Sequence, residues 1–180
     1  MGVRTRLTSA LDDRSFVRLV RSPKHADPLD GFVVAVGEAW GVMHATTEGG
    51  YFDGYSAFRL RDVKKVRVLT DVFAAEFART LSTWPPESPP GLRLDSTVGV
   101  IESMAAASPL IGIEQENRRS ALWIGRLDEA RRKWTWLLEV RPDATWKPEP
   151  LGYRTKHISR VTIESMYQRA LHRVTEPPPL

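Results

Sequence analysis

The sequence predicts a mainly-β α+β protein in which one small five-stranded unit with flanking helices occurs twice in tandem. Three observations carry this. Ten short runs rich in β-branched and aromatic residues fall into two sets of five. A proline-rich break, Trp84-Pro-Pro-Glu-Ser-Pro-Pro-Gly91, separates the sets. Phe58-Arg-Leu-Arg-Asp-Val-Lys-Lys-Val66 and Tyr153-Arg-Thr-Lys-His-Ile-Ser-Arg-Val161 then align at a constant offset of 95.

The strands of the first set are expected at 16–20, 32–36, 40–45, 55–60 and 63–68, separated by Gly, Pro and Asp clusters that punctuate the chain. Those of the second are expected at 110–114, 122–127, 134–140, 151–155 and 158–163. Trp40 with Val42 and Met43 lies opposite Trp134 with Trp136 and Leu137, and Phe58 opposite Tyr153, the last two as equivalent buried positions. An amphipathic helix should close each unit: Phe73, Phe77 and Leu81 recur at i, i+4 and i+8 after a cap at Thr70 or Asp71, and Met166, Ala170 and Val174 do likewise. A helix should also open each unit, at 95–107 with an Asp or Ser cap and more weakly at 5–11. Prolines fix φ and lack the backbone donor, so 84–91 reads as a linker between units at 1–83 and 92–175, with 176–180 a frayed tail.

Composition excludes several classes. With 42% hydrophobic and 27% charged residues the chain belongs with ordinary globular proteins, away from disordered and membrane ones. No apolar run is long enough to span a bilayer and the start lacks a signal-peptide stretch, so a cytoplasmic protein without membrane partners is expected. Absence of cysteine removes disulfides, thiol nucleophiles and thiolate metal sites. The formal charge of +4 is unevenly spread: 12 basic and 11 acidic residues in 1–90, against 14 and 11 in 91–180.

A helix followed by five short, bent strands resembles the Sm-like proteins, small barrels of SH3 type. The specific basis is a pair of long central strands, then a strand leading into Asp62-Val-Lys-Lys-Val66 or His157-Ile-Ser-Arg-Val161 and a closing helix. The resemblance implies two small barrels in tandem, joined by pairing of an outer strand of one with an outer strand of the other. It implies no RNA binding of the Sm kind: residues 40–55 contain no Asn to complete an Asp-x-aromatic-Asn element, and no Arg-Gly occurs in the chain.

Signatures of catalysis are missing. The histidines at 25, 44, 157 and 172 have no ligand spacing, and no nucleophile elbow or phosphate-cradling Gly-rich loop is present, so no enzyme, metal or cofactor is expected. The remaining constellation is Asp128-Glu-Ala-Arg-Arg-Lys-Trp-Thr-Trp136, in which Arg131, Arg132 and Lys133 adjoin Trp134 and Trp136 on alternate strand positions. With Arg118, Arg119 and Trp146 in neighbouring connections it would make a basic, aromatic patch suited to single-stranded nucleic acid. The plainer reading, a charged hairpin tip above a tryptophan-filled core, fits the usual role of Trp as core mass. A non-catalytic binding or assembly module therefore comes first, with an unknown protein partner. Nucleic-acid binding is the alternative. Charges at Arg59, Arg61, Lys64, Arg67, Arg154, Lys156 and Arg160 on the last two strands of each unit are expected to guard the outward edges, giving a monomer or weak homodimer.

Overall fold

The computed structural model describes residues 2–24, 26–118 and 121–179. In chain order the elements are α1 (Val3–Asp12), β1 (Phe16–Arg21), β2 (Leu29–Val36), β3 (Trp40–Thr46), β4 (Phe52–Arg59), β5 (Val63–Val68), α2 (Phe73–Thr80), α3 (Thr97–Ala107), β6 (Ile111–Gln115), β7 (Trp123–Ala130), β8 (Trp134–Glu139), β9 (Leu151–Arg154), β10 (Ile158–Ile163) and α4 (Met166–Val174). Single 3₁₀ turns, Leu60–Asp62 and Thr155–His157, connect β4 to β5 and β9 to β10. Each of the ten expected strands has a counterpart here.

All ten strands form one antiparallel sheet in the order β5-β1-β2-β3-β4-β10-β6-β7-β8-β9. Adding five to each strand number of the first half of that order reproduces the second half. Details repeat as well. Ser22 N–H donates to Asp62 O (2.7 Å) and Glu116 N–H to His157 O (2.9 Å); Gly37 N–H donates to Trp40 O and Arg131 N–H to Trp134 O, both at 2.8 Å. Phe58 and Tyr153, paired with Gly41 and Thr135, are both buried as expected.

The expectation of two small barrels needs correction, because no closed barrel forms among the described residues. The outer edge of β4 is taken by β10, with Arg160, Val161, Thr162 and Ile163 opposite Phe58, Ala57, Ser56 and Tyr55. The sheet therefore runs on from one half into the other, leaving β5 and β9 at its ends. The core runs on too: Trp40, Val42 and Ala57 of the first half share one cluster with Ile101, Met104, Ile113 and Val161 of the second. Segment 84–91 holds no helix or strand and is packed down, with Trp84 edge-on to Phe32 at 4.9 Å and Glu87 O accepting from the Tyr55 hydroxyl at 2.9 Å.

Helices depart from the pattern that periodicity implied. α2 buries Ala74, Ala75 and Ala78 and leaves Phe73 exposed; α4 buries Gln168 and Leu171 and exposes Met166 and Val174. α2 approaches the β3–β4 connection closely at one point: Gly50 has φ +87°, and a Cβ there would lie 2.4 Å from Ala74 O. Caps moved as well. Val72 precedes α2 without a side-chain cap, Ser96 caps α3 through Gly99 N–H, and Ser165 with Gln168 makes a capping box on α4. The first half also reaches across to α4, where Asp53 Oδ1 accepts from Met166 N–H at 2.7 Å.

Charges read as edge guards partly serve the joint instead. Arg59 is buried: its Nε donates to Asp62 at 2.6 Å, its Nη1 to Lys156 O at 3.0 Å and its Nη2 to Glu116. Arg21 of β1 and Arg160 of β10 both meet Glu114 of β6, at 3.0 and 3.4 Å, and Arg160 Nε also donates to Ser56 Oγ. A buried pair of this kind gives little net stability over an apolar substitute, but removing one partner strands the other charge. Replacing Glu114 with Ala should lower the unfolding free energy by about 3–5 kcal/mol in urea titrations, whereas joint replacement with Arg21→Met should recover part of it. A loss under about 1 kcal/mol would mean the charges remain solvated.

His44 lies between Phe52 and Tyr55, stacked at 4.1 and 4.2 Å. Burial, helped by the Arg169 charge, holds its imidazole down to about 4 from 6.5. The unfolded chain thus binds the extra proton between those values, so stability falls as pH drops through that window. Allowing for partial solvent exposure, the loss should be on the order of 1–2 kcal/mol. Comparing urea midpoints of the wild type and His44→Asn across the window checks this; parallel pH profiles would refute it.

Candidate binding surface

The apex of the β7–β8 hairpin is built by strand alternation. Along β8, Thr135 and Leu137 point inward and are fully buried, while Trp134 and Trp136 point outward and are 39% and 38% exposed. The core reading of these two tryptophans therefore fails, although Trp40, the counterpart of Trp134, is 1% exposed. Trp136 lies across Gly152, where a Cβ would sit 2.9 Å from the indole.

The apex is tied to the 3₁₀ turn after β9. Thr155 Oγ1 donates to Arg131 O at 2.7 Å and lies 3.0 Å from Thr135 Oγ1, and Thr155 N–H donates to Lys133 O at 3.2 Å. This clasp brings Arg154 and Lys156 beside Arg132 and Lys133, which together border a concavity of about 310 Å³. The Arg154 guanidinium carbon stands 4.7 Å from the Trp134 ring centroid, a cation–π contact. A second concavity, about 490 Å³, is bordered by Glu129, Arg131, Arg132, Lys133, Trp134 and Trp136. Arg132 also borders a third, about 550 Å³, at the joint between the halves, with Arg61, Ser96 and Lys156. Arg131 pairs with Glu129 at 2.6 Å. Among the described residues no carboxylate pairs with Arg132, Lys133, Arg154 or Lys156.

Five of the eight residues singled out in the sequence thus come together: Arg131, Arg132, Lys133, Trp134 and Trp136. Arg154 and Lys156, expected to guard an outward strand edge, join them. Arg118 is exposed in the β6–β7 connection, held by its own N–H to Gln115 O, and contributes to none of the three concavities. Arg119 lies outside the described residues. Trp146 packs against Leu110, Ile124, Val140 and Leu171, and its indole N–H donates to Glu176 O at 2.8 Å, so it anchors the tail.

The other polar centre is the joint. His157 Nδ1 and Glu116 Oε1 are 2.9 Å apart. Burial acts to raise the Glu116 carboxyl, yet hydrogen bonds from His157 and Arg59 outweigh it and hold the carboxyl below its ordinary value. All three Arg59 nitrogens are engaged within the protein, so this centre serves cohesion. Among the described residues no group of three or more His, Asp or Glu side chains could hold a metal ion. The hairpin apex offers cations, indole faces and open surface: the means to bind an anion with an apolar or aromatic part.

Of the six tryptophans, Trp134 and Trp136 should dominate the emission accessible to a collisional quencher. Acrylamide titration of a Trp134→Phe/Trp136→Phe variant should therefore lose most of the quenchable component. Unchanged quenching would contradict the exposed placement.

The chain matches no protein-family model, no curated protein and no solved structure.

Proposed function

We propose that the protein is a non-catalytic binding module of two fused Sm-like units, and that its working surface is the basic, tryptophan-bearing apex of the second. Support for the fused units comes from the repeated strand order and from the backbone bonds that recur at an offset of 94 to 95. The observation that carries the surface is the pair of outward indoles set among Arg131, Arg132, Lys133, Arg154 and Lys156. Exposed indoles in contact with water are costly to maintain unless something covers them, and cations without carboxylates attract an anion.

Trp emission of the full chain, titrated with polyglutamate and with oligothymidylate, tests the reading. At least one polyanion should shift the emission, with affinity falling about tenfold or more between low and near-physiological salt. An Arg132→Glu/Lys133→Glu variant should lose the response while keeping its urea midpoint. Failure of both polymers to bind, or binding that survives the charge reversal, overturns the proposal.

A further inference from the structure

The two halves of the chain treat equivalent backbone differently, and the difference identifies the class of partner. Leu60 N–H donates to Ala39 O and Thr155 N–H to Lys133 O, so Ala39 and Trp40 correspond to Lys133 and Trp134. In the first half, the N–H groups of Ala39 and Trp40 both donate to one acceptor, Leu94 O, each at 3.0 Å. Trp40 is buried there, in one cluster with Leu92, Leu94, and Val100 and Ile101 of α3. In the second half, no carbonyl outside the strands accepts from Lys133 or Trp134 among the described residues; the Thr155 N–H to Lys133 O bond next to the Trp134–Arg154 pair turns the Trp134 N–H away from β9, and the two indoles are exposed.

A second copy of the chain is a poor occupant. Carrying the β4–β10 register over by 95 residues would set Lys65, Val66, Arg67 and Val68 of one copy against Tyr153, Gly152, Leu151 and Pro150 of another. Pro150 has no N–H to give to that ladder, and β9 is only four residues long. Lys65 and Arg67 would also approach Arg154 and the apex cations, like charge against like.

Resting on the binding-surface reading above, we infer that the occupant is an acidic stretch of polypeptide carrying one large apolar side chain. Its main-chain carbonyl receives the N–H groups of Lys133 and Trp134, its apolar side chain covers Trp134 and Trp136, and its carboxylates face Arg132, Lys133, Arg154 and Lys156. Leu94 is the internal precedent for the carbonyl. One difference matters: Gly37 lets Leu94 approach, since a Cβ there would meet Leu94 Cβ at 2.2 Å, and Arg131 takes the place of Gly37 in the second half. The bound apolar group is therefore shifted toward the indoles.

The test uses the full-length, ¹⁵N-labelled protein with three probes: the peptide Glu-Asp-Leu-Asp-Glu, its Ala-centred version and oligothymidylate. The Leu peptide should move the Lys133 and Trp134 amide resonances and the two indole N–H resonances. The Ala version should bind about tenfold more weakly, as expected for an apolar side chain that loses most of its buried surface. An Arg154→Glu/Lys156→Glu variant, altered only at exposed side chains, should lose peptide binding and remain folded. Equal binding of Leu and Ala peptides, or unmoved Lys133 and Trp134 amides, overturns the inference. Binding of oligothymidylate alone overturns it while sparing the binding-surface reading, and binding of no probe overturns both. Light scattering that shows a stable assembly of chains blocking the peptide would also overturn it, in favour of a second copy.

Discussion

The ladder between β4 and β10 is the constraint on which the rest of the molecule depends. Four residue pairs join the halves there, and they convert what would be two separate strand edges into the middle of a ten-stranded sheet. Such edges are aggregation-prone when bare, so joining them internally removes two of four at once. The seam is apolar at Val161 and Ala57, and it is flanked by Arg59 with Asp62 and Glu116, and by Arg21 and Arg160 with Glu114. These ions contribute little net free energy, yet a slip of one residue would bury an unpaired charge. The charges thus specify the register that the apolar residues alone leave open.

Closing the joint on one side leaves the other ends unmatched, and the asymmetry of the surface follows. Trp40 and Trp134 occupy corresponding positions at the start of corresponding strands, and both pair with an arginine across the ladder, Arg59 and Arg154. Beside the joint, Trp40 is covered by the stretch around Leu94 and by α3, and Arg59 is clasped by carboxylates. At the far end Trp134 faces outward, 39% exposed, and Arg154 lies over its ring. The Trp and Arg are the same in the two places; the residues just before the Trp and the neighbouring segments differ.

That contrast also explains which features the sequence made legible. Strand positions followed from alternation and from proline and glycine punctuation, which act locally, and the offset of 95 placed Phe58 against Tyr153 correctly. Exposure was not legible. The period of Phe73, Phe77 and Leu81 marks the wrong face of α2, because the helix packs Ala74, Ala75 and Ala78 into a cluster with Phe16 and Phe32. Arg59 and Arg160 read as edge guards, since only the choice of β10 as the partner of β4 turns those strands inward. Arg154 and Lys156 were missed at the apex because they reach it through Thr155, about twenty residues away in sequence, and no local pattern signals that clasp.

The distribution of charge completes the physical picture. The chain carries only a small excess of cations, and three arginines of the joint engage three carboxylates: Arg59 has Asp62 and Glu116, while Arg21 and Arg160 share Glu114. Those carboxylates are thereby withdrawn from the surface. Arg132, Lys133, Arg154 and Lys156, none with a carboxylate partner among the described residues, stand together beside two exposed indoles. A field from four close cations over low-dielectric rings extends roughly a Debye length, about 8 Å at physiological salt, which is enough to collect a short anionic chain before contact. The same charges oppose a second copy of this basic protein. Neutralisation at the joint and the unmet charge at the apex are thus two sides of one arrangement: a seam that must be electrically closed, and an apex whose cations have no carboxylate partner among the described residues.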